Sequence, residues 1–415
     1  MNVMWITNVP LPNIAEKIGI SNQPLGGWLV GYIEQLKKID GISLSYAFPN
    51  SLRVDGTVDG ISFFSFDPSS KDVIDQFVKI IEKCTPDVIH IFGTEFIHSY
   101  FAVQACRQLC MMNHTVISIQ GLVSVCAKHY YAFLPEQVIR NWTFRDIFKW
   151  DNLIQAKKKF EKRGIYEKKT LSFASNVIGR TDWDEACTLQ INPNLKYFKC
   201  NESLRSSFYN HHWKLEECEK HSIFVSQSSY PIKGFHLMLE AFAIIKKKYP
   251  DAKLYTTGSD LLNSHQTFCI RDGSYTKYLK KLIKLYGLSD SVFFLGMLDE
   301  NQMCERYLKS NIFVSCSSIE NSPNSVGEAM LLGVPIICSD VGGVRNIFTD
   351  RSDGYIYPAD EPYMIAHYVD RLFSDEGKMK TFSQNARIHA KKTHDRTKNI
   401  EDLLNIYKVI CQDKK

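Results

Sequence analysis

Two glutamates, Glu320 and Glu328, stand eight positions apart in the stretch SSIENSPNSVGEAMLLGVPIICSDVGG (317–343). The apolar run before them reads as a strand ending near Ser317, followed by a loop that carries Glu320. A helix is expected from Asn324 or Ser325 to Gly333, with Asn324 a suitable N-cap and Gly333 a suitable C-cap. Backbone N–H groups at a helix start have no partners within the helix, so the Asn324–Ser325 amides make a ready anion site. Glu328 is expected in the first turn, at the positive end of the helix dipole. Carboxylates accept hydrogen bonds and sugar hydroxyls donate them. A phosphate site flanked by two carboxylates therefore suits a sugar joined to a nucleoside diphosphate. The plain alternative makes Glu320 a solvated loop residue and Glu328 a capping one.

The elements that must position these residues are short apolar runs alternating with amphipathic helical stretches. Strands are expected within residues 3–9, 87–93, 114–121 and 176–181, and again within 222–228, 252–258, 292–296, 312–318 and 334–340. Between them, stretches such as 26–39, 234–249 and 274–287 carry apolar residues at helical spacing. Strands alternating with helices imply parallel sheets covered on both faces, an α/β fold. The pattern restarts near residue 221, so two doubly wound domains are expected with a linker around 200–220. Ligands of such sheets bind outside the carboxyl ends of the strands.

Residues 221–390 closely resemble the C-terminal, nucleotide-sugar-binding domain of the family-4 retaining glycosyltransferases. The resemblance rests on Glu320 and Glu328, on Ala329, Met330, Gly333 and Pro335 after them, and on the Gly342-Gly343 turn. Lys233-Gly234 matches the element opening that domain's first helix, and Phe294-Leu295-Gly296 matches the turn at the nucleobase. The resemblance implies a GT-B fold, two Rossmann-like domains facing across a cleft. The domains would be 1–205, with residues 396–415 packing back on it, and 218–392. It further implies that Glu320 contacts the donor sugar and Glu328 the ribose hydroxyls. Asn324 and Ser325 would hold phosphate or sugar, Gly296 would sit at the base, and Lys233 would neutralise the departing diphosphate. Gly26-Gly27 would bring backbone close to that diphosphate from the other domain, since glycine permits such approach.

Two departures from the family pattern stand out. The Arg that commonly precedes the Lys by five residues is absent from Gln227-Ser228-Ser229, which leaves diphosphate binding to Lys233 and helix dipoles, or to another cation such as Arg205 or Arg180, the latter at the end of a strand. Where relatives end a strand with His-Gly or His-Asp, this chain has Gln120-Gly121. Gln120 is expected on the acceptor side, where it can hydrogen-bond a hydroxyl but cannot act as a base. Asp182-Trp183-Asp184 has the form of a metal motif but sits at a helix start, where Asp is favoured as a cap. The histidines lack ligand spacing, so neither a metal nor a cofactor is expected beyond the donor, with a UDP-sugar favoured over a GDP-sugar.

The chain has 415 residues, 44% hydrophobic and 23% charged, which excludes a disordered chain. No apolar run is long enough to span a membrane, and the first residues read as a buried strand rather than a secretory signal. The 12 cysteines are scattered, which suits buried thiols in a reducing cytoplasm. The net charge is only +5, yet residues 128–169 hold eleven Lys/Arg against five Asp/Glu, a local +6. Aromatic residues interleave with these cations over 144–169 without any nucleic-acid motif. This suits peripheral contact with the anionic inner face of a cell membrane. The expected activity is transfer of a hexosyl unit, with retention, to a glycan or lipid-linked glycan acceptor in surface-polysaccharide or glycoconjugate biosynthesis. The alternatives are a catalytically silent, glycosyltransferase-like partner or scaffold protein and a nucleotide-sugar epimerase.

Overall fold

The computed structural model describes residues 1–20, 27–258, 261 and 272–412. The chain forms two compact units, one of Met1–Val125, Glu161–Arg205 and His394–Lys415, the other of Cys126–Phe160 and Ser206–Thr393.

In the first unit the strands are β1 (Asn2–Ile6), β2 (Ser43–Pro49), β3 (Asp55–Val58), β4 (Ile61–Phe66), β5 (Val88–Phe92), β6 (Thr115–Ser118), β7 (Asn176–Gly179) and β8 (Lys196–Lys199). They form one sheet in the order β3-β4-β2-β1-β5-β6-β7-β8, parallel except for the antiparallel edge strand β3. Successive side chains of a strand point to opposite faces. Accordingly Val3 and Trp5 enter one apolar cluster while Met4 and Ile6 enter the other. The helix Arg396–Gln412 returns to cover the first of these faces with Leu403 and Tyr407. Trp5 Nε1 donates to the Tyr407 hydroxyl at 3.0 Å, and His90 Nδ1 lies 2.6 Å from the same oxygen.

The second unit carries β9 (Glu219–Val225), β10 (Lys253–Thr256), β11 (Val292–Phe294), β12 (Ser310–Ser315), β13 (Ile336–Ser339) and β14 (Gly354–Tyr357). All are parallel, in the order β11-β10-β9-β12-β13-β14. This is the doubly wound arrangement, and its strand order reverses between β9 and β12. β9 begins at Glu219, inside the charged stretch read from sequence as linker.

Residues 126–160, read from sequence as part of the first domain, group instead with the second unit. Their anchors explain why. His236 Nε2 lies 2.7 Å from the Ala132 carbonyl, and Ser318 Oγ donates to the His129 carbonyl at 3.2 Å. Farther along, the Ser274 N–H donates to Asp146 Oδ2 at 3.1 Å. Among the described residues eleven cysteines are free thiols, and no helix is long and apolar enough to cross a membrane.

Candidate active site

The loops after β9 and β12 leave the sheet on either side of the point where strand order reverses, and there they are clamped together. The Ser318 N–H donates to the Ile232 carbonyl at 2.7 Å, joining the loop after β12 to the turn Pro231–Lys233. Gly234 follows with φ +66°, and a Cβ there would lie 1.8 Å from the Cys316 carbonyl oxygen. Only glycine lets the two backbones approach this closely. The long helix Phe235–Lys248 starts directly after it.

The clamp brings Lys233 and Glu320 into contact. Lys233 Nζ lies 2.5 Å from Glu320 Oε1, and Ser317 Oγ donates to the same oxygen at 2.6 Å. Burial works against the Lys233 charge, but the Glu320 carboxylate outweighs it and raises the ammonium above the ordinary lysine range. The Glu320 backbone is held from behind. Its carbonyl accepts the Gly343 N–H at 3.1 Å, and Gly342, at φ +52°, presses so near that a Cβ would stand 1.9 Å from that oxygen. The Gly-Gly turn is thus a seat for Glu320.

The helix Asn324–Leu332 begins four residues beyond Glu320. Its first amides belong to Asn324 and Ser325, and the Ser325 carbonyl accepts the Tyr307 hydroxyl at 3.1 Å. Glu328 is buried, and it lies past the first turn rather than in it, because the helix starts at Asn324. Gly333 closes the helix in the left-handed conformation. Gly296 follows β11, where its carbonyl accepts the Gly258 N–H at 3.0 Å. Sequence reasoning missed Ser317, although its place three residues before Glu320 was a usable signal.

On the first unit, Gly27 opens the helix Gly27–Leu36, while Gly26 lies outside the described residues. Gln120 and Arg180 follow β6 and β7 and meet on one carboxylate. Arg180 Nη1 lies 2.8 Å from Glu202 Oε2, and Gln120 Nε2 donates to Glu202 Oε1 at 2.6 Å. Both members of the ion pair are buried. The Arg180 charge is therefore met within its own unit. Asp184 is also accounted for, because it forms a capping box with Thr181 and accepts the Tyr197 hydroxyl at 2.5 Å.

A carboxyl that the sequence did not single out, Glu95, lies beyond the end of β5. Its Oε2 occupies the space a Cβ on Gly93 would need, 2.2 Å away. Burial pushes its pKa up to about 7, with the Glu167 carboxylate adding to the rise and Arg163 opposing it. A folded-state value above the unfolded one means that stability falls as pH rises through this interval. Glu95→Gln should therefore leave stability unchanged near pH 4 and raise it near pH 8 by about 1–3 kcal/mol. Denaturant titrations at the two pH values measure this, and equal effects at both would show that Glu95 does not titrate in this way.

Residues 208–389 match the family model for glycosyl transferases group 1. The match falls within the second unit. An uncharacterized glycosyltransferase of Methanocaldococcus jannaschii is 28% identical to this chain over 199 residues, 48% of the chain and 47% of that protein. The chain spans about half the length of the curated relatives it matches. Among solved structures, sucrose-phosphate synthase from Thermosynechococcus elongatus has a TM-score of 0.68 at 17% identity, covering 99% of this chain and 98% of its own. Anabaena HepE, solved in complex with UDP-glucose, has a TM-score of 0.67 at 15% identity, covering 99% and 100%. These likenesses bear on the fold, which is GT-B. Within the matched residues, the Lys233–Glu320 pair and the start of the helix Asn324–Leu332 lie at the carboxyl end of the sheet, beside its switch point.

Proposed function

We propose that the protein is a retaining glycosyltransferase that moves a hexosyl unit from a nucleotide sugar, a UDP-sugar before a GDP-sugar, to a glycan or lipid-linked glycan acceptor. The observation that carries this reading is the Lys233–Glu320 contact at 2.5 Å beside a helix N-terminus. Departure of a nucleoside diphosphate builds negative charge on its oxygens. A fixed ammonium and oriented amides stabilise that charge as it develops. In the reaction the bond from the anomeric carbon to the diphosphate oxygen breaks, and the bond to the acceptor oxygen forms on the same face. The leaving phosphate oxygen takes the acceptor's proton, so no protein base is required and Gln120 is compatible with the chemistry. Glu320 holds Lys233 and the donor sugar, Glu328 the ribose hydroxyls, and the Asn324–Ser325 amides the phosphates. The reading uses no metal or other cofactor.

The HepE complex with UDP-glucose supports the choice of nucleotide, as a property of a protein with the same fold. A place in surface-polysaccharide or glycoconjugate biosynthesis, at the inner face of the membrane through residues 144–169, completes the proposal. Titration calorimetry with UDP, GDP and ADP tests it. UDP is expected to bind most tightly, and Glu320→Ala to abolish sugar transfer while the protein stays folded. Absence of binding by all three nucleotides would overturn the enzyme reading and favour a silent partner protein.

A further inference from the structure

The membrane contact put forward above was read from the charge of residues 144–169 as a whole, but the structure concentrates it in one place. The short helix Phe144–Lys149 is fixed at its base. Thr143 and Asp146 form a capping box, and the Asp146 carboxylate, 1% exposed, also accepts the N–H of Ser274 at the head of the helix Ser274–Leu285. The outer face is the reverse of what a soluble surface favours. Phe144, Ile147 and Phe148 share one side of the helix, at 74%, 59% and 90% exposure. Trp150 ends the helix in the left-handed conformation, 65% exposed, with its ring 5.2 Å from that of Trp142.

The segment that carries this knuckle is basic. Residues 126–160 contain seven Lys/Arg against three Asp/Glu, a balance of +4. Asp146 is buried beside Arg145 and Asp151 pairs with Lys159, while Lys149 and Lys158 are exposed. Two such faces would repel one another, which argues against a second copy of the chain as the occupant. Exposed aromatic side chains in a basic segment fit the boundary between acyl chains and anionic headgroups, where rings sit at headgroup depth and lysines reach phosphate.

We infer that Phe144, Ile147, Phe148 and Trp150 insert into the headgroup boundary of an anionic lipid bilayer, so that the second unit, in which the group 1 match falls, is the one that docks. This names the face for the membrane contact proposed above and is independent of whether sugar is transferred. Lys158 and Lys159, on the part of the helix Leu153–Phe173 that belongs to the second unit, then act through charge alone.

The test is co-sedimentation with phosphatidylglycerol vesicles and with phosphatidylcholine vesicles at low salt, with no nucleotide present. The full chain is expected to bind the anionic vesicles at least tenfold more tightly. Phe144→Ser combined with Phe148→Ser should weaken that binding at least tenfold while leaving the melting temperature and the UDP titration unchanged. Both side chains face solvent, so folding is not at risk. Tryptophan fluorescence should shift to the blue on vesicle addition, and Trp150→Phe should remove most of the shift. Equal binding by the chain and its double variant would overturn the inference. So would a concentration-dependent dimer in sedimentation velocity that the double variant abolishes while vesicle binding persists. A failed UDP titration with normal vesicle binding would remove the transferase reading and leave this one standing.

Discussion

Lys233→Ala is expected to lower kcat for sugar transfer by about 10²–10³-fold, the loss typical when one preorganised donor to a developing oxyanion is removed, about 3–4 kcal/mol. The structure supplies the reasons for a large effect. Glu320 keeps the side chain ionised and holds Nζ at 2.5 Å, so the cation pays no cost of recruitment as the diphosphate leaves. The turn Pro231–Lys233 contains no arginine to replace it, and Arg180 already faces Glu202 on the other unit. The effect should fall mainly on kcat, with a smaller loss of UDP affinity, because ground-state diphosphate already carries part of the charge. Steady-state rates with a saturating acceptor, or slow donor hydrolysis where no acceptor is known, measure it. A variant with unchanged kcat would show that the ammonium does not act on the leaving group.

Gly234→Ala should be the most damaging single methyl group in the second unit. A left-handed backbone costs a non-glycine residue about 1–2 kcal/mol wherever it occurs. At Gly234 the new carbon would also stand 1.8 Å from the Cys316 carbonyl, so the loop after β12 has to move. The combined loss is expected at about 3–5 kcal/mol. Gly296→Ala is the control. Its φ of +71° is nearly the same, but nothing lies within 4 Å of its added Cβ. That variant should lose only the backbone cost, about 1–2 kcal/mol. Thermal denaturation of the two variants separates the terms. Equal losses would mean that the crossing of the two loops carries no tension. Displacement of Cys316 would also carry Ser317 and Glu320 away from Lys233, so activity should fall further than stability alone predicts.

The second unit was readable because its informative residues follow strands that announce themselves. The strands preceding Lys233, Glu320 and Gly342 end at Val225, Ser315 and Ser339, and parallel strands bring such ends to one edge of the sheet. The meeting of Lys233 with Glu320 follows from that topology. The affiliation of residues 126–160 was not readable in the same way. It depends on the carbonyls of His129 and Ala132 and on one aspartate, and backbone acceptors leave no trace in residue type. Arg180 offered a charge whose partner, Glu202, is 22 residues away in an irregular segment, so neither periodicity nor spacing pairs them. Glu95 is raised by burial and by Glu167, 72 residues away in sequence, and burial of a carboxylate is a property of the fold rather than of its neighbours in sequence.

The helix Arg396–Gln412 closes a face of the first unit whose opening strand is Asn2–Ile6, and this sets an order of assembly on the ribosome. Every residue of the second unit precedes residue 394, so its sheet can be complete while Trp5, Tyr46 and Phe48 still lack the cover of Leu403 and Tyr407. The half that begins first is therefore the half that finishes last. During synthesis the apolar face that holds Trp5 is completed only once residues 396–412 have emerged.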